Sequence, residues 1–256
     1  MKKKVILSII VLILIIVLII ISTPKYKDIG FFIMFDSYIA SGIDDTLEIP
    51  FTYYYKTKSK LKNIKEIKFE NEEALKIERF VLENAERSNE YKRDIIRLNI
   101  RFLEQGIFKE EYIKINFEDG SSINFPIGIY VFDIGRKEAK NALINTYTSM
   151  VAVSNPNRFI YDYQILDPKA FITEIKYGDS KFIKSETGLE PNGEIEINSE
   201  IPIRYIKTKI TVKRNNKEYI YYGKGFYSGA INISKENIKY IKEQSEILYK
   251  SINSDK

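Results

Sequence analysis

From Val5 to Ile21 the chain runs through seventeen residues with Ser8 as their one polar side chain, and lipid is the solvent that suits such a segment. As a helix rising about 1.5 Å per residue it spans roughly 26 Å, at the short end of what crosses a bilayer. Ser8 can return its hydroxyl to the backbone within the helix. The competing reading is a cleaved secretory signal, whose apolar stretch usually runs about 7 to 15 residues and ends at small side chains. Here Ile20 would fill a small-residue position for a cut after Ser22, and Pro24 obstructs a cut after Thr23. Residues 1–24 are therefore expected to be a retained membrane anchor. Lys2, Lys3 and Lys4 precede the run while Lys25 and Lys27 follow it, so the N-terminus is expected in the cytoplasm and the remainder outside the membrane.

Beyond Phe31 the pattern changes to alternation rich in β-branched and aromatic residues, the mark of half-buried strands. Ile96, Leu98, Ile100 and Phe102 keep a period of two. Ile113, Ile115 and Phe117 face Ile123 and Phe125 across Glu118-Asp119-Gly120-Ser121-Ser122, a loop of hairpin length. Further strands are expected over Leu47–Lys56, Ile64–Glu70, Tyr130–Ile134, Thr146–Val153, Arg158–Leu166, Phe171–Tyr177, Ile201–Lys213 and Tyr219–Tyr222. Arg214-Asn215-Asn216-Lys217 offers a tight turn because Asn tolerates left-handed backbone. Asn192-Gly193 marks another turn. Glu72–Glu86 is ambiguous between helix and strand. Helical spacing is clear only at the end, where Ser234 can cap a run carrying Ile238, Ile241, Leu248 and Ile252 on one face, expected to pack on the preceding sheet.

The expected fold is mainly β: an N-terminal transmembrane helix, one or two antiparallel β-sandwich modules, the first open to an immunoglobulin-like form, and a short C-terminal helix. The charged segment Gly135–Asn141 interrupts the alternation and suggests modules over 25–137 and 138–234, with residues 235–256 as the helix and tail. One continuous elongated sandwich is the alternative.

Composition narrows the chemistry. The chain contains no histidine and no cysteine, which removes Ser-His-Asp hydrolases, Cys-His nucleophiles and His- or Cys-ligated zinc sites. No cofactor or metal site is expected, and any cation bound by carboxylates alone would be a hard one. Removing Lys2, Lys3 and Lys4 from the 40 bases leaves 37 against 35 acids, too even a balance for a nucleic-acid footprint.

What remains is carboxylate chemistry, a Ser-Lys pair, or binding. Asp36, Asp44, Asp45 and Glu48 form an acidic group without diagnostic spacing, and Asp44-Asp45 sits where a turn is expected. Ser149-Met150 lacks the surroundings that type I signal peptidases give such a serine. The tyrosines are more suggestive: Tyr53-Tyr54-Tyr55, and Tyr219, Tyr221, Tyr222 and Tyr227 around Gly223 and Gly225. Tyrosine brings contact area, a polar tip and little rotamer entropy to lose, so the second group is the expected partner contact, with the glycines letting the chain bend close to that partner. The expected function is a non-enzymatic, membrane-tethered binding or structural module of the cell envelope, meeting the bilayer through Val5–Ile21 and another envelope protein or a wall polymer beyond it. A carboxylate-dependent hydrolase of wall glycan is the alternative.

Overall fold

A computed structural model describes residues 30–56, 59–88, 91–137, 139–140, 142–146, 157–198, 201, 203–229 and 235–253. The expected anchor, Ser149-Met150, residues 147–153 of the expected strand and Ser234 lie outside them. Among the described residues no helix is long and apolar enough to cross a membrane. The described residues are mainly β and include a C-terminal helix.

Eight strands occupy residues 31–135: β1 (Phe31–Phe32), β2 (Phe35–Gly42), β3 (Thr46–Tyr55), β4 (Ile64–Lys68), β5 (Leu75–Ser88), β6 (Tyr91–Phe102), β7 (Gly106–Phe117) and β8 (Ser122–Gly135). One sheet runs β1-β3-β6-β5 and the facing one contains β2-β8-β7-β4. Setting β2 aside, this is the ABED and CFG strand order of an immunoglobulin-type sandwich, with β1, β3, β4, β5, β6, β7 and β8 in the places of A to G. Phe51, Leu98 and Ile100 from the first sheet meet Ile115, Phe125 and Phe132 from the second in one core. Each such side chain contributes about 1.5–3 kcal/mol on burial.

The alternation in β6 is what builds that interior. Ile96, Leu98, Ile100 and Phe102 are all fully buried while their neighbours are not. The β7–β8 hairpin turns at Gly120, with φ +85°, and Asp119 Oδ1 accepts from the Ser121 amide at 2.9 Å and its hydroxyl at 2.6 Å. The ambiguous stretch becomes β5. Its ladder with β6 runs from Leu75–Phe102 to Ser88–Tyr91, and that long-range pairing outweighs the local helix preference of its Glu and Ala residues. Gly128, at φ +93°, lies opposite Phe35 in the parallel β2–β8 pair, where the Phe35 backbone occupies the space a Cβ would need.

The later strands are β9 (Ile144–Asn145), β10 (Arg158–Asp162), β11 (Gln164–Ile165), β12 (Ala170–Lys176), β13 (Phe182–Leu189), β14 (Asn192–Glu196), β15 (Ile203–Lys207), β16 (Lys209–Arg214), β17 (Lys217–Tyr222) and β18 (Phe226–Gly229). A sheet β13-β12-β16-β17 is accompanied by the pairs β10-β14 and β9-β11. Asn192-Gly193 opens β14 instead of making a turn, because Gly193 pairs with Tyr161. The Asn215-Asn216 turn forms as expected, with φ of 48° and 61°.

The division at residue 137 needs correction. β15 and β18 pair in the first module's sheet, giving the order β18-β15-β2-β8-β7-β4, with β15 parallel to β2. The expected strand Ile201–Lys213 is thus two strands in two sheets, broken at Thr208. A single long hairpin, β15-β16 out and β17-β18 back, passes through both modules.

The helix α1 (Lys235–Asn253) packs, as expected, on the sheet that precedes it, and on more besides. Ile238 and Ile241 bury against Ile203 of β15, the neighbour of β18, and against Phe31, Ile33 and Tyr54 of the N-terminal module, whereas Leu248, expected on that buried face, is 40% exposed. Tyr249 lies 6.2 Å, ring to ring, from Phe125.

Candidate functional site at the junction of the modules

Successive side chains of a strand point to opposite faces, so Ile39 and Phe132 fill the sandwich core while Tyr38, Ala40 and Val131 face outward. In an isolated sandwich that outer face would be solvated. Here it is covered by Phe159, Ile172, Ile206, Ile210 and Phe226, which form a second core continuous with the first module's outer surface. The boundary between modules is therefore a packed interface.

One carboxylate lies inside it. Asp133 of β8 accepts from the Tyr38 hydroxyl at 2.8 Å, from Lys176 Nζ at 2.6 Å and from Lys209 Nζ at 3.0 Å. Tyr38 is on the neighbouring strand of the same sheet, whereas both lysines come from the second module. Burial alone pushes the Asp133 carboxyl up, but the bonds from Lys176 and Tyr38 and the charge of Lys209 outweigh it and hold it below the usual value. The same burial and the adjacent carboxylate raise the Tyr38 phenol, which stays protonated and donating.

Beside this cluster opens a cleft of about 290 Å3, lined among others by Asp36, Tyr38, Tyr177, Asp179, Lys181 and Arg204. Arg204 is almost fully buried. Its Nη1 donates to the Ile197 carbonyl at 3.0 Å and its Nη2 lies 3.4 Å from Asp36 Oδ2. Burial lowers the guanidinium pKa and Asp36 opposes that shift; the group remains charged. Tyr177 to Lys181 form the bend between β12 and β13, so one wall of the cleft is a loop and the other is rigid sheet.

The acidic residues singled out in the sequence are each engaged elsewhere. Asp36 pairs with Arg204, Asp44 with Lys137, and Glu48 with Arg97. Asp45 holds the β2–β3 turn through the Gly42 amide at 2.9 Å. Glu110 is the buried carboxyl raised by desolvation, yet its oxygens accept from the Glu70 amide and from the backbone and side chain of Asn71. It fastens the Glu70-Asn71 loop to β7, and the nearby Glu70 charge raises it further. Among the described residues no group of three acidic side chains gathers to hold a cation.

The tyrosines divide. Tyr53, Tyr54 and Tyr55 are all buried, the middle one beneath Phe31 and α1. In the expected contact group, Tyr221 and Tyr222 are buried too, at 3% and 5% exposure. The Tyr221 hydroxyl accepts from the Leu143 amide at 3.4 Å and the Tyr222 hydroxyl donates to the Arg136 carbonyl at 2.6 Å, so both are packing within the junction. Tyr219 and Tyr227 are half-buried, the latter 4.5 Å from the Tyr205 ring. Gly223 and Gly225 do admit close approach, but to this chain: a Cβ at Gly223 would strike the Thr208 hydroxyl, and one at Gly225 the Tyr205 ring.

Lys176, Lys209 and Asp133 were not singled out by residue pattern, since Lys209 lies in a basic-looking run that reads as solvated strand. The available signal was Asp133 itself, a lone acid within the otherwise apolar Ile127–Ile134 stretch.

No family model matches the chain, and no curated protein matches it. Among solved structures it is similar to tandem immunoglobulin repeats of Dlar, at 9% identity, 80% of this chain and 98% of the other, with a TM-score of 0.24. Fibronectin(III)-like modules of Clostridium thermocellum CbhA match at 9% identity, covering 79% and 94%, with a TM-score of 0.22. The sialic acid binding region of a Streptococcus sanguinis adhesin matches at 9% identity, covering 65% and 47%, with a TM-score of 0.24. Likeness at that level defines neither a shared architecture nor a shared function.

Proposed function

We propose that the chain is a membrane-tethered, extracytoplasmic binding module that uses the cleft at its module junction to hold a polar group of a wall polymer or of another envelope protein. The observation that carries the reading is the cleft itself. It is concave, lies between two packed bodies, and combines tyrosines with charges of both signs, Asp36 and Asp179 against Lys181 and Arg204. Tethering by Val5–Ile21 raises the local concentration of partner relative to module, so even a small site suffices for retention at the envelope. The packed junction supports the same reading, because a ligand site between rigid bodies is organised before the ligand arrives.

The test uses the full chain in detergent with two substitutions of exposed rim residues, Asp179→Asn and Lys181→Glu, which leave Arg204 and both cores untouched. Binding to isolated wall sacculi and to solubilised membranes is expected to fall at least tenfold in Lys181→Glu, with unchanged thermal unfolding. Undiminished binding in both variants would place the contact elsewhere.

A further inference from the structure

We infer that the outward face of α1 lies on the bilayer surface and fixes the orientation of the module against the membrane, an inference that rests on the membrane-tethered reading above. The helix has three sides of different chemistry. Ile238, Ile241 and Ser245 are buried against the sandwich. Lys239, Glu243, Lys242 and Glu246 form i,i+4 ion pairs on one flank. The other flank carries Tyr240, Gln244, Ile247 and Leu248, with Tyr240 47%, Ile247 61% and Leu248 40% exposed. At 3.6 residues per turn Tyr240, Gln244 and Ile247 share one stripe with Leu248 at its border, and Lys239, Glu243 and Glu246 fall off it.

The position of α1 decides what covers that stripe. It packs on Phe31 of β1, so it sits at the end of the sandwich where the chain enters from its N-terminal segment. Eight residues, 22–29, separate Ile21 from Gly30, and nine steps of about 3.3–3.6 Å reach at most about 32 Å. A module tethered by Val5–Ile21 therefore holds α1 close to the headgroups. A tyrosine beside aliphatic side chains is the composition that settles at a membrane–water interface. A second copy of the chain is the poorer occupant: three partly exposed side chains bury on the order of 300 Å2, below the about 800 Å2 per partner of a stable interface. The bilayer needs no such area, because the tether supplies the effective concentration.

The absence of cysteine makes the test direct, since one introduced cysteine is a unique attachment point. The full chain is reconstituted in phosphatidylglycerol–phosphatidylethanolamine vesicles and labelled with a polarity-sensitive fluorophore at Gln244→Cys, at Phe182→Cys in the second module, or at Ile13→Cys in the anchor. Nitroxide-labelled acyl chains are expected to quench the Gln244 label at least twofold more than the Phe182 label, and adding Ile247→Ser is expected to abolish that difference. Quenching at Ile13 with none at Gln244 overturns the inference and leaves the tether standing. No quenching at either position overturns the tether as well. A blue shift at Gln244 that follows protein density and ignores the lipid nitroxide overturns the inference in favour of a second copy.

Discussion

Lys176 of the second module donates to Asp133 of the first at 2.6 Å, within an interface whose other residues are mostly apolar. Lys209 reaches the second carboxylate oxygen at 3.0 Å, so Asp133 is shared between a ladder in one module and two strands in the other. Breaking a buried ion pair on one side leaves the remaining charge without its counterpart, which is why such losses commonly cost about 3–5 kcal/mol. Lys176 and Lys209 keep 16% and 25% of their side chains exposed, which screens the effect. Asp133→Asn is therefore expected to destabilise by about 2 kcal/mol, measured by urea unfolding, whereas Glu111→Gln, which breaks the exposed pair of Glu111 with Lys109 on β7, is expected to change stability by less than about 0.5 kcal/mol. A neutral outcome for Asp133→Asn would mean that apolar packing and the β15–β2 pairing join the modules without help from this carboxylate.

The same carboxylate sets a pH dependence. Its folded pKa is below the ordinary value of 3.8, so the unfolded chain binds the proton more readily than the folded one. The stabilisation it gives is fully present above the unfolded pKa and is lost as pH falls through the folded value. Glu110 has the opposite sign: its folded pKa is raised above 4.5, so its contribution is present below the unfolded pKa and lost as pH rises through the folded value. Unfolding free energy measured from pH 6 down to about pH 2.5 should fall, and Asp133→Asn should flatten that limb; an unchanged slope in the variant would remove Asp133 from the account.

Tyr222→Phe keeps the ring and loses the hydroxyl bond to the Arg136 carbonyl, so a stability loss of about 1 kcal/mol is expected in urea melts. Tyr221→Ala opens a cavity beside Ile210 and Leu143 and is expected to cost about 3–5 kcal/mol. Tyr219→Ala and Tyr227→Ala are the informative pair for the contact expected from the sequence: an interface tyrosine weakens partner binding by roughly 1–2 kcal/mol with little change in melting temperature. Truncations of these two that only lower the melting temperature would make them packing residues like their neighbours.

Asn216 is held at φ 61° in the β16–β17 turn, a conformation that costs a branched side chain about 1–2 kcal/mol and glycine almost nothing. Asn216→Val is expected to lower the melting temperature by several degrees, and Asn216→Gly to leave it equal or slightly higher. Equal melting temperatures for the two variants would show that the hairpin's register is set by its strands and not by this turn.

The parts of the architecture readable from residues depend on neighbours in sequence. The alternation of Ile96, Leu98, Ile100 and Phe102, the Gly120 loop and the Asn215-Asn216 turn are each decided by a few adjacent side chains, and each forms where it was expected. Glu72–Glu86 was not decidable in that way, because the partner that makes it a strand, β6, is a separate segment with its own pairing demands.

The junction belongs to the other category. Tyr38 and Asp133 are 95 residues apart and Lys209 is 76 further on, and nothing local to any of them signals the others. Whether Tyr221 and Tyr222 face a partner or an interior was likewise beyond the sequence. Alternation states that adjacent side chains point to opposite faces but not which faces are covered, and here the second module covers the outer face of the first. The sequence by itself determined the alternation that becomes β6, the Gly120 and Asn215-Asn216 turns and the absence of histidine and cysteine chemistry, since these follow from residue type and short-range geometry. Tertiary structure alone decided that one hairpin threads both modules, that Asp133 takes two lysines from the second module, and that α1 closes the end where the chain enters, because each depends on which distant surfaces bury one another.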